Sequence, residues 1–267
     1  MFDKVIVGVK DLDGGRDAIW LAGSLASRNR HLTLAHVQVV GSKPAPDSGA
    51  AGSVATRRRA LERLTALRDE SQLEAEVVCA EAPRVQRGLH NLARARGAEL
   101  LVIGASRQDE IYRDLVGDDA RELLEDSPCA VAVAPAGYAD RRGRLRRIGV
   151  AFDRSPQSYR ALAAARTLAA DRHAELSAFH AVSVPGHVED TIDDQVAQAL
   201  ETIDTLGGVD AHAEYGEPVS ELRRYGLTVD LLVVGARKHR PLGRLLGQGT
   251  AERLVDQPPC PLLVVVP

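Results

Sequence analysis

The apolar stretch Leu100-Leu101-Val102-Ile103-Gly104-Ala105-Ser106 returns as Leu231-Leu232-Val233-Val234-Gly235-Ala236-Arg237, 131 residues later. Pro128-Cys129 and the apolar run behind it return as Pro259-Cys260 at the same offset of 131. Repetition at a fixed long period restricts a chain to copies of one folding unit. A length of 267 residues accommodates two such units of ordinary domain size. Earlier landmarks pair Val5–Val9 with Ile148–Phe152 and Leu32–Val37 with Leu176–Ala181, at offsets of 143 and 144. The first copy therefore carries about a dozen extra residues, which fall in the Gly-, Pro-, Ala- and Ser-rich loop Gly41–Ser53. The predicted domains are 1–137 and 145–267, joined by a solvated basic linker near Ala136–Arg144.

Within each copy, apolar runs alternate with helical patterns. The first has strand patterns near 4–9, 32–40, 73–79, 99–104 and 129–134, with helical patterns near 14–29, 56–71, 84–96 and 117–126. The second has strand patterns near 147–152, 175–183, 209–214, 229–234 and 261–266. Unbroken apolar strands are expected where helices cover both faces of a parallel sheet. The prediction is an α/β fold, with a five-stranded, doubly wound parallel sheet in each copy. Such sheets bind ligands beyond the carboxyl ends of their strands, where strand order reverses. The loops after strands 1 and 4 are thus the places to look.

Composition removes several function classes. Aromatic residues make up 3% of the chain, too few for the stacking faces of a nucleic-acid platform. A net charge of −3 gives no overall attraction to polyanions. Cys79, Cys129 and Cys260 are widely spaced and odd in number, which predicts neither a disulfide framework nor a zinc site. Cys129 and Cys260 read as buried, inert thiols. The start Met1-Phe2-Asp3-Lys4 leads directly into a strand, so no signal peptide and no membrane association are expected, and the predicted setting is the cytosol. His36 and His180 lack neighbours at metal-ligand spacing and read as partly buried histidines bonded to backbone. No nucleophile elbow or paired-carboxylate motif appears, so catalysis has no named residues.

The loop after strand 4 carries the most chemistry. In the first copy it reads Gly104-Ala-Ser-Arg107, nine residues, then Gly117-Asp118 opening a helix. On this pattern, on the apolar strand before it and on the Pro-Cys before strand 5, the chain resembles a tandem universal stress protein over 1–135 and 146–267. The nucleotide-binding members of that family show Gly-x-x-Gly, nine residues, then Gly-Ser or Gly-Thr. The resemblance implies two Rossmann-like domains of the adenine nucleotide alpha hydrolase-like type. It also implies pairing of strand 5 with strand 5, here Cys129–Pro135 with Cys260–Pro267, giving a pseudo-dimer within the chain that can assemble further.

The first copy departs from the pattern. Arg107 replaces the second glycine, Asp118 replaces the hydroxyl residue, and Lys10 stands where the family places an aspartate. A carboxylate at a helix start accepts the N–H groups a phosphate would take, and residues 104–119 carry a net charge of −3. The first copy is therefore expected to have lost nucleotide binding.

The second copy has Asp153 after strand 1, which by resemblance would meet the ribose or an ion bound with the phosphates. Its strand 4 leads into Gly235, Arg237, Lys238, Arg240, Gly243, Arg244, Gly247, Gly249 and Thr250. Residues 235–250 hold four cations and no carboxylate, a net of +4. Glycines admit phosphates to the backbone, and a helix start adds its dipole. The candidate nucleotide-binding residues are Asp153, Ala181 (against the adenine, by resemblance), Gly235, Arg237, Lys238, Gly247, Gly249 and Thr250, for ATP with Mg2+. A solvated basic loop, or one paired with the acidic loop of the first copy, is the competing reading. The function expected is a stress-response regulator with an unidentified protein partner. A nucleotide-free interaction module is the alternative, and a weak ATPase the third reading.

Overall fold

The computed structural model describes residues 1–40, 50–105, 120–141, 144–183, 191–236 and 249–267. The chain divides into two compact units, Phe2–Arg142 and Gly143–Pro267. In the first, β1 (Phe2–Gly8), β2 (Ala26–Val39), β3 (Ala75–Ala82), β4 (Leu100–Gly104) and β5 (Ala130–Ala134) lie in the order β3-β2-β1-β4-β5. In the second, β6 (Arg147–Ala151), β7 (Glu175–Val182), β8 (Asp210–Tyr215), β9 (Leu231–Gly235) and β10 (Leu262–Val265) lie in the order β8-β7-β6-β9-β10. Every pairing within each unit is parallel. Order reverses between β1 and β4 and between β6 and β9, so a crevice opens at the carboxyl end of each pair. The α/β architecture of two tandem Rossmann-like domains is the one expected.

Central strands bury both faces, as their apolar runs demand. Leu100, Leu101, Val102, Val131, Leu231, Leu232 and Val233 are each fully inaccessible. Burying each such side chain is worth about 1.5–3 kcal/mol. The few aromatic residues are not spread evenly: Phe152, Phe179 and Tyr225 are all core residues of the second domain. Phe179 stacks on Tyr225 with ring centroids 4.7 Å apart. All three cysteines are buried free thiols. Burial pushes the Cys129 thiol up to about 11, against a backbone hydrogen bond from Leu101.

Two local expectations need correction. The helix expected over 14–29 runs Leu12–Leu25, and β2 begins at once at Ala26. The Asp11 side chain caps the helix by accepting the Gly14 amide at 2.7 Å, which moves the start forward. At the other end Ala26 is already extended and pairs with Phe2.

The join is the second correction. Rather than a solvated linker throughout, it forms a short helix, Tyr138–Arg141, with Tyr138 buried. The Asp17 carboxylate, 1% exposed, accepts the amides of Gly137 and Ala139, each at 2.8 Å. A buried carboxylate is tolerable because those amides replace its water. Nothing in composition announced this anchor, since Asp17 reads as one more polar residue of a surface helix.

Candidate functional site

The second domain builds its crevice from the loop after β6. Phe152 closes the strand, its amide donating to Phe179 at 2.9 Å. Asp153 follows, exposed, and its Oδ1 accepts the Ser155 amide at 3.0 Å. Arg154 takes a left-handed conformation, φ 62°, uncommon for a residue with a side chain. Ser155 then caps the helix Pro156–Arg172, its Oγ accepting the Ser158 amide at 3.2 Å, with proline at the first helical position.

The first domain differs by one residue here. Val9 donates to Ala35 as Phe152 does to Phe179, but the cap Asp11 lies only two residues on, against three for Ser155. The second domain's loop is therefore longer by a residue, and Arg154 absorbs it through its positive φ. The first domain closes its helix start with a carboxylate and the second with a neutral hydroxyl. A carboxylate there opposes a bound anion.

Gly235, read from sequence as an opening for phosphate, and its counterpart Gly104 in the first domain each have a packing role. A Cβ at Gly235 would lie 2.4 Å from the Gln157 carbonyl oxygen, and one at Gly104 2.1 Å from that of Gly14. Neither glycine has a positive φ. Each lets the helix after the first strand press its opening turn onto the end of the fourth. In the second domain this brings the opening turn of the helix that follows Asp153's loop against the end of β9.

Ala181 lies at the end of β7, partly buried, opposite Glu214 of β8. Its neighbour His180 faces the same loop: burial lowers its pKa, Arg154 lowers it further, and Asp153 works against both. His180 Nδ1 is buried without a hydrogen-bond partner among the described residues. The equivalent His36 behaves as expected, with Nδ1 2.9 Å from the Val9 carbonyl oxygen.

Gly249 and Thr250 open the helix Thr250–Val255, both exposed. Here sequence reasoning missed Glu252, whose carboxylate accepts the Gly249 amide at 3.1 Å. It stands at the third helical position, where an acidic side chain reaches back to the cap amide. Its spacing from Gly249 is the signal in the sequence. The helix is held in place from Glu217, which caps Pro218–Gly226 through the Ser220 amide at 2.8 Å and pairs with Arg253 at 2.6 Å. Burial raises the Glu217 pKa, but the Ser220 and Arg253 hydrogen bonds outweigh it and bring the carboxyl down to about 2. Arg237, Lys238 and Gly247, like Arg107, Gly117 and Asp118 of the first domain, lie outside the described residues.

Two tandem α/β domains of one topology, each with a switch-point crevice beside the helix after its first strand, define a duplicated Rossmann-like protein. The sequence profile of the universal stress protein family matches residues 1–135 and 144–266. The chain belongs to the universal stress protein family. Among solved structures it is similar to a universal stress protein from Archaeoglobus fulgidus DSM 4304, with 16% identity, 98% of each chain covered and a TM-score of 0.70. It is also similar to a putative universal stress protein from Pseudomonas aeruginosa UCBPP-PA14, with 19% identity, a TM-score of 0.66, and coverage of 100% of this chain and 94% of that one. No curated protein sequence matches the chain. Among the described residues, no helix is long and apolar enough to cross a membrane.

Proposed function

We propose that the chain is a cytosolic stress-response regulator whose second domain binds a phosphate-bearing ligand, ATP with Mg2+ before others, while its first domain binds no nucleotide. The observation that carries this reading is the contrast at the two helix starts. The first domain places the Asp11 carboxylate there, 2.7 Å from the Gly14 amide. The second has neutral Ser155 and an exposed Asp153 on a longer loop. The sequence charges of the following loops, −3 and +4, point the same way. In this reading Asp153 would hold the ribose or the ion, Ala181 would lie against the base, and Gly235, Arg237, Lys238, Gly247, Gly249 and Thr250 would surround the phosphates. Mg2+ would neutralise phosphate charge in that crevice. Occupancy would act by shifting populations between conformations that a regulatory partner distinguishes. The tandem arrangement as a pseudo-dimer within the chain, assembling further, is part of the same proposal.

The test is a thermal-shift titration with millimolar ATP and Mg2+. A ligand at 100 times its Kd adds about 2.7 kcal/mol to stability, which moves Tm by several degrees. The expected result is a rise in wild type that Lys238→Ala abolishes; no rise in wild type overturns the proposal. A nucleotide-free interaction module is the second reading, and Glu252 favours it, because that carboxylate already takes the Gly249 amide. Conversion of ATP to ADP, lost in Asp153→Ala, would replace both with an ATPase.

A further inference from the structure

At the amino ends of β1, β2 and β3, opposite the crevice, the first domain has a cavity of about 470 Å³. Its polar lining includes Lys4, Arg30, Thr33, Glu74, Glu76 and Arg96. The cavity arises from an irregularity in β2. Phe2 pairs with Ala26 and Lys4 with His31, so two steps along β1 match five along β2. The surplus residues bulge, as extra residues in a ladder must, and Arg30 stands in that bulge.

The charges are only partly matched. Arg96 closes on both carboxylate oxygens of Glu76 and donates to Thr33 Oγ1 at 3.1 Å. Arg30, by contrast, lines the cavity with no ion pair among the described residues. Lys4 has no ion pair among the described residues, and Glu74 is exposed. A guanidinium and an ammonium on one cavity wall, neither with a carboxylate of its own, can both donate to a ligand oxyanion.

The second domain fills the same place with its own side chains. Lys4 and Arg147 are equivalent, since their carbonyls accept the amides of Glu99 and Asp230 at 2.9 and 2.8 Å. Asp230 accepts the Arg146 amide at 2.8 Å as Glu99 accepts the Asp3 amide at 2.6 Å, but Asp230 also pairs with Arg147 at 3.8 Å. By register Thr33 opposite Glu76 corresponds to Ser177 opposite Asp210. Ser177 bonds the hydroxyl of buried Tyr225 at 2.6 Å, an aromatic plug where the first domain has Arg96.

We infer that this cavity is a second ligand site, specific to the first domain, that binds a small organic or inorganic oxyanion, a carboxylate or a phosphate, between Arg30 and Lys4. The inference does not depend on nucleotide binding in the second domain. Calorimetric titration of the full chain, at fixed ionic strength, with citrate and separately with inorganic phosphate tests it and distinguishes the two acids. The expected result is a saturable event for at least one of them that is at least tenfold weaker in Arg30→Gln. Absence of saturable binding to both, or binding that Arg30→Gln leaves intact, overturns the inference. Should Arg30→Gln fail to fold, Lys4→Ala carries the same expectation. Binding lost only in Lys238→Ala would assign the anion to the second domain and overturn it equally.

Discussion

A methyl group at Gly235 would have to share space with the backbone of Gln157, 2.4 Å from its oxygen. Backbone cannot swing aside as a long side chain can, so the helix would have to lift from β9. Gly235→Ala is therefore expected to destabilise the ligand-free second domain by about 1–3 kcal/mol, the usual penalty of overpacking. Urea denaturation followed by circular dichroism measures it. A glycine kept only to admit phosphate would lose binding on this substitution while the empty protein stayed equally stable, so an unchanged midpoint would overturn the packing role.

Among the elements, two helices are held by groups that titrate in different ranges. His90, on Val85–Arg96, is buried and has Nε2 2.9 Å from the Leu123 carbonyl oxygen of the helical residues 120–124. Burial lowers its pKa below the ordinary 6.5, although the Leu123 carbonyl opposes this. The unfolded chain then binds the proton more readily than the folded one, so stability is full above pH 6.5 and falls as pH drops below it. Glu217 has the same sign at lower pH. Its carboxyl lies near 2 against an ordinary 4.5, so its contribution is present above 4.5 and is lost as pH falls towards 2. The pair with Arg253 is nearly half exposed, so that loss is at most about 1 kcal/mol. Trp20 is the sole tryptophan and lies in the first domain. Its fluorescence should report a lower denaturation midpoint at pH 5.5 than at 7.5, and His90→Gln should remove most of the difference.

How far these elements were legible in the sequence depends on the range of the forces that set them. The strands of the second domain fall within about two residues of expectation because apolar runs and burial report the same thing. The end of the first helix and the docking of the join were missed because both depend on partners far along the chain, Phe2 for Ala26 and Gly137 for Asp17. At the candidate site, Asp153 is marked by its place after a strand together with the family resemblance. The extra residue at Arg154 is not, because a positive φ in an arginine leaves no mark on composition.

For the molecule as a whole, duplication has produced two domains of one topology with unlike crevices. The first closes its own helix start with Asp11, and only the second presents Asp153 on an open loop. A single nucleotide per chain is therefore expected. Calorimetry with ATP and Mg2+ should give a stoichiometry near one, and a value near two would restore binding to the first domain.

The carboxylate of Asp17 bears on where the first domain can be cut. The family match ends at 135, but the amides that replace water around that carboxylate belong to Gly137 and Ala139. A polypeptide stopped at 135 would leave a charge stranded in a dry interior, at a cost of several kcal/mol. One carried through Arg141 keeps the charge answered and should melt at a markedly higher temperature than the shorter piece. The smallest portion able to stand alone thus extends past the repeat itself, into chain that reads as mere connection.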